Sequence, residues 1–81
     1  MTSAEFQNVV AATYLKARSQ GADGMTAMCT ALAIWMSEKE KNEMTRLLCE
    51  VVYVDKTPFL TPADMLSLAL TACQNVPEEP A

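Results

Sequence analysis

Apolar residues in the first twenty positions recur with the period of an α-helix. Thr2 and Glu5 have the spacing of a capping box, in which each side chain accepts from a backbone N–H at the other position. Gly21 is the residue type that most readily ends a helix in the left-handed conformation. The pattern therefore predicts a helix between Thr2 and Gly21. The residues that share its inward face are Phe6, Val9, Val10, Thr13, Tyr14 and Ala17.

The segment Thr26–Met36 is almost continuously apolar and contains the only Trp of the chain. Its Ala, Met and Leu residues favour a helix over a strand, because they lose little side-chain freedom in a helix. Asp23 is a suitable N-cap residue. Since apolar side chains occur on nearly every side, the pattern predicts a central helix enclosed by the rest of the chain.

A third helix is predicted to begin directly after the second. Ser37 and Glu40 form another capping-box pattern, so the second helix should end near Met36. The segment 51–57 starts with Val and Tyr residues that prefer strands, which leaves open whether it is the end of the helix or a short strand. The predicted inward face consists of Met44, Leu47, Leu48, Val51 and Val52.

The fourth helix has the clearest start signal. Thr61 can cap it, Pro62 suits its first position, and Asp64 places a carboxylate at its positive end. It is predicted to extend to about Gln74. Residues 76–81 combine proline and glutamate with little apolar surface, so a flexible acidic tail is expected. The predicted fold is all-α: a bundle of four short helices in one domain, 1–75, followed by this tail.

The chain is rich in apolar residues for its size. It has 81 residues, of which 51% are hydrophobic. So short a chain buries only about 60–65% of its unfolded surface. We therefore expect some apolar surface to be covered by a second copy, as in a homodimer, or by another protein.

Net charge argues against two classes of partner. The formal charge is −4, which opposes both the phosphate backbone of nucleic acids and anionic membranes. No apolar run is long enough to span a bilayer, and the N-terminus does not resemble a signal peptide. We expect a cytoplasmic protein that binds neither nucleic acid nor membrane.

Much enzyme and metal chemistry is missing from the sequence. With no histidine, Ser–His–Asp triads, Cys–His pairs and Cys/His zinc sites are excluded. Cys29, Cys49 and Cys73 are far apart and stand among apolar residues, so we predict buried thiols in a reducing compartment.

The carboxylate pair Glu40–Glu43 has the spacing to hold a cation, but Lys and Arg residues around it neutralise that face. A helical domain this small is also expected to lack a substantial pocket. We therefore predict that the protein is not an enzyme and has no catalytic residue, cofactor or metal.

The remaining prediction is a small protein-binding module that acts by surface docking: an adaptor, an assembly factor or an inhibitor. A phage or mobile-element antagonist of a host system is one form of inhibitor. The candidate partner-binding residues are Lys39, Lys41, Asn42, Arg46, Tyr53 and Phe59. The candidate self-association residues are Met65, Leu66, Leu68 and Leu70, because Met and Leu adapt well to apolar docking.

The alternative is a DNA-binding regulator of the helix-turn-helix type. The abrupt junction between the second and third helices favours it, and the third helix offers cations that could reach base edges. Glu38, Glu40 and Glu43 on the same helix oppose it, since they would lie against phosphates.

Overall fold

The chain folds into four α-helices, as its pattern predicts. The computed structural model describes residues 2–56 and 60–77. The helices are α1 (Ser3–Ser19), α2 (Gly24–Trp35), α3 (Glu38–Cys49) and α4 (Pro62–Asn75), and a π-helical turn, Glu50–Val54, continues α3. No strand occurs in the described ranges, so the all-α prediction is confirmed. Most of the predicted tail, residues 78–81, lies outside them.

Side-chain caps fix where each helix starts. Reciprocal capping boxes join Thr2 with Glu5, Ser37 with Glu40, and Thr61 with Asp64. The Asp23 side chain accepts a hydrogen bond from the backbone N–H of Thr26 at 2.7 Å. Each pairing satisfies N–H groups that have no partner inside the helix. The predicted starts of all four helices are thus confirmed.

The end of α1 is a Schellman motif built on Gly21. This glycine has φ +100°, a conformation that costs little only without a Cβ. Its N–H donates to Arg18 O at 3.0 Å, and the N–H of Ala22 donates to Ala17 O at 3.1 Å. The resulting turn sends the chain back, so that α1 and α2 pack as a helical hairpin.

The helices form two packed pairs. The pairs are α1 with α2 and α3 with α4, and α2 connects them by packing against α4. The molecule is flat, with principal extents of 37 × 36 × 18 Å. A helix with its side chains is about 10 Å across, so 18 Å leaves most helices with one face towards solvent.

The core lies where the two pairs meet, and it is built mainly from Met and Ala. Small Ala side chains let helices approach closely, and unbranched Met side chains fill the irregular space that is left. Phe6 and Val10 contribute from α1. The buried residues are Phe6, Val10, Ala27, Met28, Ala31, Leu32, Met36, Met44, Met65, Ala69 and Ala72.

The prediction that α2 is enclosed on nearly every side is wrong. Ile34 is 60% exposed and Trp35 is 38% exposed, although Ala31 and Leu32 on the same helix are buried. These side chains are exposed because too few helices pack around α2 to cover all of its sides. The helices that chiefly pack against α2 are α1 and α4, because α3 packs on α4 instead.

Two of the three cysteines also differ from the prediction. Cys29 and Cys49 are exposed, whereas Cys73 is half-buried, and all three are thiols. The apolar neighbours of Cys29 and Cys49 in sequence therefore do not imply burial in this flat fold. Val52, predicted to face inward, is exposed as well, while the other four residues of that predicted face are buried or half-buried.

Candidate protein-docking surfaces

Four helix ends surround an open groove of about 760 Å³. The first turns of α1 and α3 and the last turns of α2 and α4 form its walls, and we call it the cap groove. Its apolar lining comes from Phe6, Trp35, Leu70 and Val76. Its polar rim includes Glu38, Lys39, Glu40 and Gln74. The expectation that so small a domain has no substantial pocket is therefore wrong.

Trp35 stands at the edge of this groove in a fixed orientation. Its indole N–H donates to the Thr13 hydroxyl at 2.9 Å, across the α1–α2 hairpin. The Thr13 hydroxyl in turn donates to the Val9 carbonyl at 2.8 Å. The indole N–H and the Thr13 hydroxyl both have hydrogen-bond partners within the protein, so the exposed part of the Trp35 ring is a preorganised apolar surface.

Glu40 and Cys73 meet on one wall of the groove. Burial raises the pKa of the Cys73 thiol to about 12, and the hydrogen bond and negative charge of Glu40 act in the same direction. Burial alone would raise the pKa of Glu40, but hydrogen bonds from Cys73 and Ser37 outweigh it and lower that pKa. At neutral pH this pair therefore consists of a carboxylate and an unreactive thiol.

The π turn, Glu50–Val54, forms a second apolar surface. The N–H of Asp55 donates to Glu50 O at 3.1 Å, the i to i+5 bond that defines such a turn. Tyr53 is 77% exposed and Val54 is 71% exposed. Sequence analysis left open whether the segment 51–57 is a helix end or a short strand. Up to Lys56, the structure shows that it is the end of a helix. Thr57 lies outside the described residues.

The predicted partner-binding residues do not form one site. Lys39 lines the cap groove, while Tyr53 lies on the π turn beyond the other end of α3. Lys41 pairs with Glu38, and Arg46 pairs with both Glu43 and Glu50. Asn42 is exposed on α3. Phe59 lies outside the described residues.

The predicted self-association residues also separate. Met65 is buried in the core, so its assignment to a surface is wrong. Helical periodicity puts one position of every apolar run on the inward face, and here it is Met65. Leu66, Leu68 and Leu70 are half-buried and pack against the core. Leu70 lines the cap groove, and Leu68 lines a shallower groove of about 330 Å³ with Val51 and Leu60.

Phe6 and Trp35 were not among the predicted site residues. Phe6 belongs to the regular stripe of α1 and Trp35 to the apolar run of α2, so both patterns indicated core. The only sequence signal was indirect: both residues stand close to a predicted helix end. No local pattern indicates that the start of α1 and the end of α4 line the same groove.

The described residues carry two further findings. None of their helices combines the length and apolarity that crossing a membrane requires. No three of their Cys, Asp or Glu side chains come together as a possible set of metal ligands. No protein-family model, curated protein or solved structure matches this chain significantly.

Proposed function

We propose that the protein is a non-enzymatic docking module that binds a segment of a partner protein in the cap groove. The observation that carries this proposal is a groove of about 760 Å³, lined by both apolar and polar side chains, with the sole Trp hydrogen-bonded to Thr13 at its edge. Concave apolar sites with a few fixed polar groups are typical of binding sites. Trp is among the residue types that most often supply much of the binding energy of a protein interface. An adaptor, an assembly factor or an inhibitor, including a phage-encoded one, would act in this way.

Selection from a library of displayed random peptides on the immobilised protein tests this proposal. We expect selected Trp-free peptides to change the fluorescence of Trp35, because that ring borders the groove. Binding should weaken at least about tenfold with Leu70→Ala, the loss of one buried apolar contact. Tyr53→Ser, on the π turn, is the matched control and should leave it unchanged. Peptides that ignore Leu70→Ala, or no enrichment at all, would contradict the proposal.

Self-association is the second part of the proposed function, and the π turn is its proposed surface. Val52, Tyr53 and Val54 project large apolar groups next to the shallow groove that Val51 and Leu68 line. A second copy would remove these groups from water. Light scattering at high micromolar concentration should show a dimer, and Tyr53→Ser should shift it towards monomer. A monomer for the unaltered chain would remove this part.

The DNA-binding alternative has less support. The cations Lys41 and Arg46 on α3 are paired with carboxylates of the same helix. Those carboxylates would approach phosphates together with the cations. The alternative predicts retention on DNA at about 50 mM salt that is lost by about 200 mM. Under the proposed function we expect no retention at either concentration.

A further inference from the structure

The two helical hairpins are joined by one short junction. Only Met36 and Ser37 connect the α1–α2 hairpin to the α3–α4 hairpin. Both have an extended backbone, with φ −98° and ψ 140° at Met36 and φ −71° and ψ 166° at Ser37. No Gly or Pro occurs between residues 25 and 57. The bend therefore depends on the Ser37 cap of α3, and not on a residue type that excludes a helix.

The core is shared between the two hairpins. α2 packs on α4, and one cluster of buried side chains contains Met28 and Leu32 of α2 together with Ala72 of α4. Separation of the hairpins would expose these side chains to water, which is unfavourable. The same hairpin of a second copy has the surface that covers them equally well, which is the basis of domain swapping.

A helix that ran through the junction would separate the hairpins. Such a helix over residues 24–49 would be about 39 Å long, whereas the longest extent of the molecule is 37 Å. It would carry the α3–α4 hairpin away from α1 of the same chain. Met36 follows Met28 and Leu32 at intervals of four residues, so it would stay on the inward face of the longer helix. Two such chains would complete each other's core.

Exposed apolar side chains lie directly beside the junction. Ile34 is 60% exposed and Trp35 is 38% exposed. After an exchange, the end of α2 in one copy would lie beside the start of α3 in the other, so the two junctions would be neighbours at the two-fold axis. Residues 38–41 alternate Glu and Lys, so this stretch adds no net charge there. An exchanged dimer would thus restore the core and also cover Ile34.

We propose that Met36 and Ser37 form a hinge through which two copies of the chain exchange their α3–α4 hairpins, with α2 and α3 joined into one helix. This inference goes beyond the proposed function and does not use the π turn. Each cap groove of the dimer is lined by Phe6 and Trp35 of one copy and by Leu70 of the other. The exchange therefore gives one particle two grooves, each built from both copies.

An engineered disulfide between α2 and α4 distinguishes this exchange from other association. A Cβ at Gly24 would lie 3.3 Å from Pro62 Cγ, so Gly24→Cys with Pro62→Cys brings two thiols within reach of a disulfide. Cys29→Ser and Cys49→Ser remove the exposed native thiols. The new disulfide closes within one chain in the monomer and joins two chains in the exchanged dimer. The protein is incubated at high micromolar concentration, diluted to low micromolar and oxidised at once. Denaturing electrophoresis without reductant separates the products.

We expect both products, with more crosslinked dimer at higher concentration before dilution. Ser37→Ala removes the cap that holds the bend, so it should raise the ratio of dimer to monomer at least about fivefold. Glu38→Pro should abolish the dimer, because Pro suits the first position of α3 but breaks a helix that continues through it. Its crosslink within one chain shows that this variant folds. Tyr53→Ser, on the π turn, should leave the ratio unchanged.

Four outcomes would overturn the exchange. Crosslinks only within one chain, in the protein with the unaltered hinge, would show that its hairpins do not separate. An equal dimer fraction in Glu38→Pro would show that α2 and α3 are not joined in the dimer. A dimer that Tyr53→Ser removes would belong to the π turn, and the proposed self-association would stand without the exchange. No crosslink of either kind would contradict the packing of α2 on α4, on which the exchange depends. None of these outcomes bears on peptide binding in the cap groove.

Discussion

The two ends of α3 expose apolar surface in different ways. At its first turn, Ser37 and Glu40 cap each other and form a wall of the cap groove, whose lining is shared among four helices. At the other end, the helix widens into the π turn, and Val52, Tyr53 and Val54 project outward. The described chain shows no side-chain hydrogen bond that caps this turn.

The comparison separates a concave surface from a convex one. In the groove, the apolar groups come from several packed helices, an arrangement that would lower the entropic cost of binding a ligand there. On the π turn, the groups project from one segment and can be covered only by a surface that complements them. This difference is why we propose the groove for a partner protein and the π turn for a second copy.

Truncation of the buried Met44 side chain, which anchors α3 in the core, should cause the largest loss of stability. Met44 is buried in the middle of the helix, so Met44→Ala should lower the free energy of unfolding by about 2–4 kcal/mol. Chemical denaturation measures this, with the neighbouring exposed substitution Thr45→Ala expected within about 0.5 kcal/mol of the unaltered protein. A loss below about 1 kcal/mol for Met44→Ala would mean that α3 is not held by the core.

Cys73, which faces the first turn of α3, should be alkylated more slowly than the exposed thiols Cys29 and Cys49. The nucleophile is the thiolate, and the pKa of Cys73 is raised to about 12. At about pH 8, alkylation of Cys73 should be at least about tenfold slower than that of Cys29 or Cys49, both exposed. Mass spectrometry of labelled peptides measures these rates. Glu40→Gln keeps an acceptor for Ser37 but removes the charge, so it should accelerate Cys73.

The sign of the pH dependence follows from the raised pKa. Burial and, to a smaller extent, the contact with Glu40 favour the protonated form of Cys73, so the contribution of this thiol to stability is fully present below the ordinary thiol pKa of 9.0 and is lost as pH rises through about 12. Equal alkylation rates for the three thiols would contradict the burial of Cys73 and its placement against Glu40.

Removal of the Ser37 cap should lower stability by the smallest amount. The corresponding truncation at the other end of α3 should have almost no effect. Ser37→Ala should lower the free energy of unfolding by about 1 kcal/mol, because the backbone N–H of Glu40 loses its partner. Glu50→Ala should change it by less than about 0.5 kcal/mol, since its pairing with Arg46 is exposed. Comparable losses in thermal denaturation would show that the two ends are equally dependent on side-chain contacts.

The helices were predictable because their signals are local. The three capping boxes, the Asp23 cap and the Gly21 stop each act within one helical turn, and all of them are present in the structure. The inward face of α1 was also predictable, because its six residues are buried or half-buried while Lys16 and Arg18 are exposed. In α2, apolar residues on every side gave no information about which face would be covered.

The candidate site was predicted only in fragments. Lys39 and Leu70 both line the cap groove, but the sequence assigned them to different surfaces. The groove is lined by residues as distant in the sequence as Phe6 and Leu70. Their arrangement around one groove follows from how the helix pairs pack, which no periodicity within a single helix encodes.

The sequence alone determined the number and the starts of the helices, and the ends of α1, α2 and α4 to within about a residue, because the hydrogen bonds at helix ends join residues three to five positions apart. The end of α3 was decided only by the structure. In α2, tertiary structure alone decided which apolar residues became core and which remained exposed. In a body 18 Å thick, α2 packs chiefly against two other helices. Burial of a side chain depends on how many neighbours its helix has, and that number is a property of the packed whole.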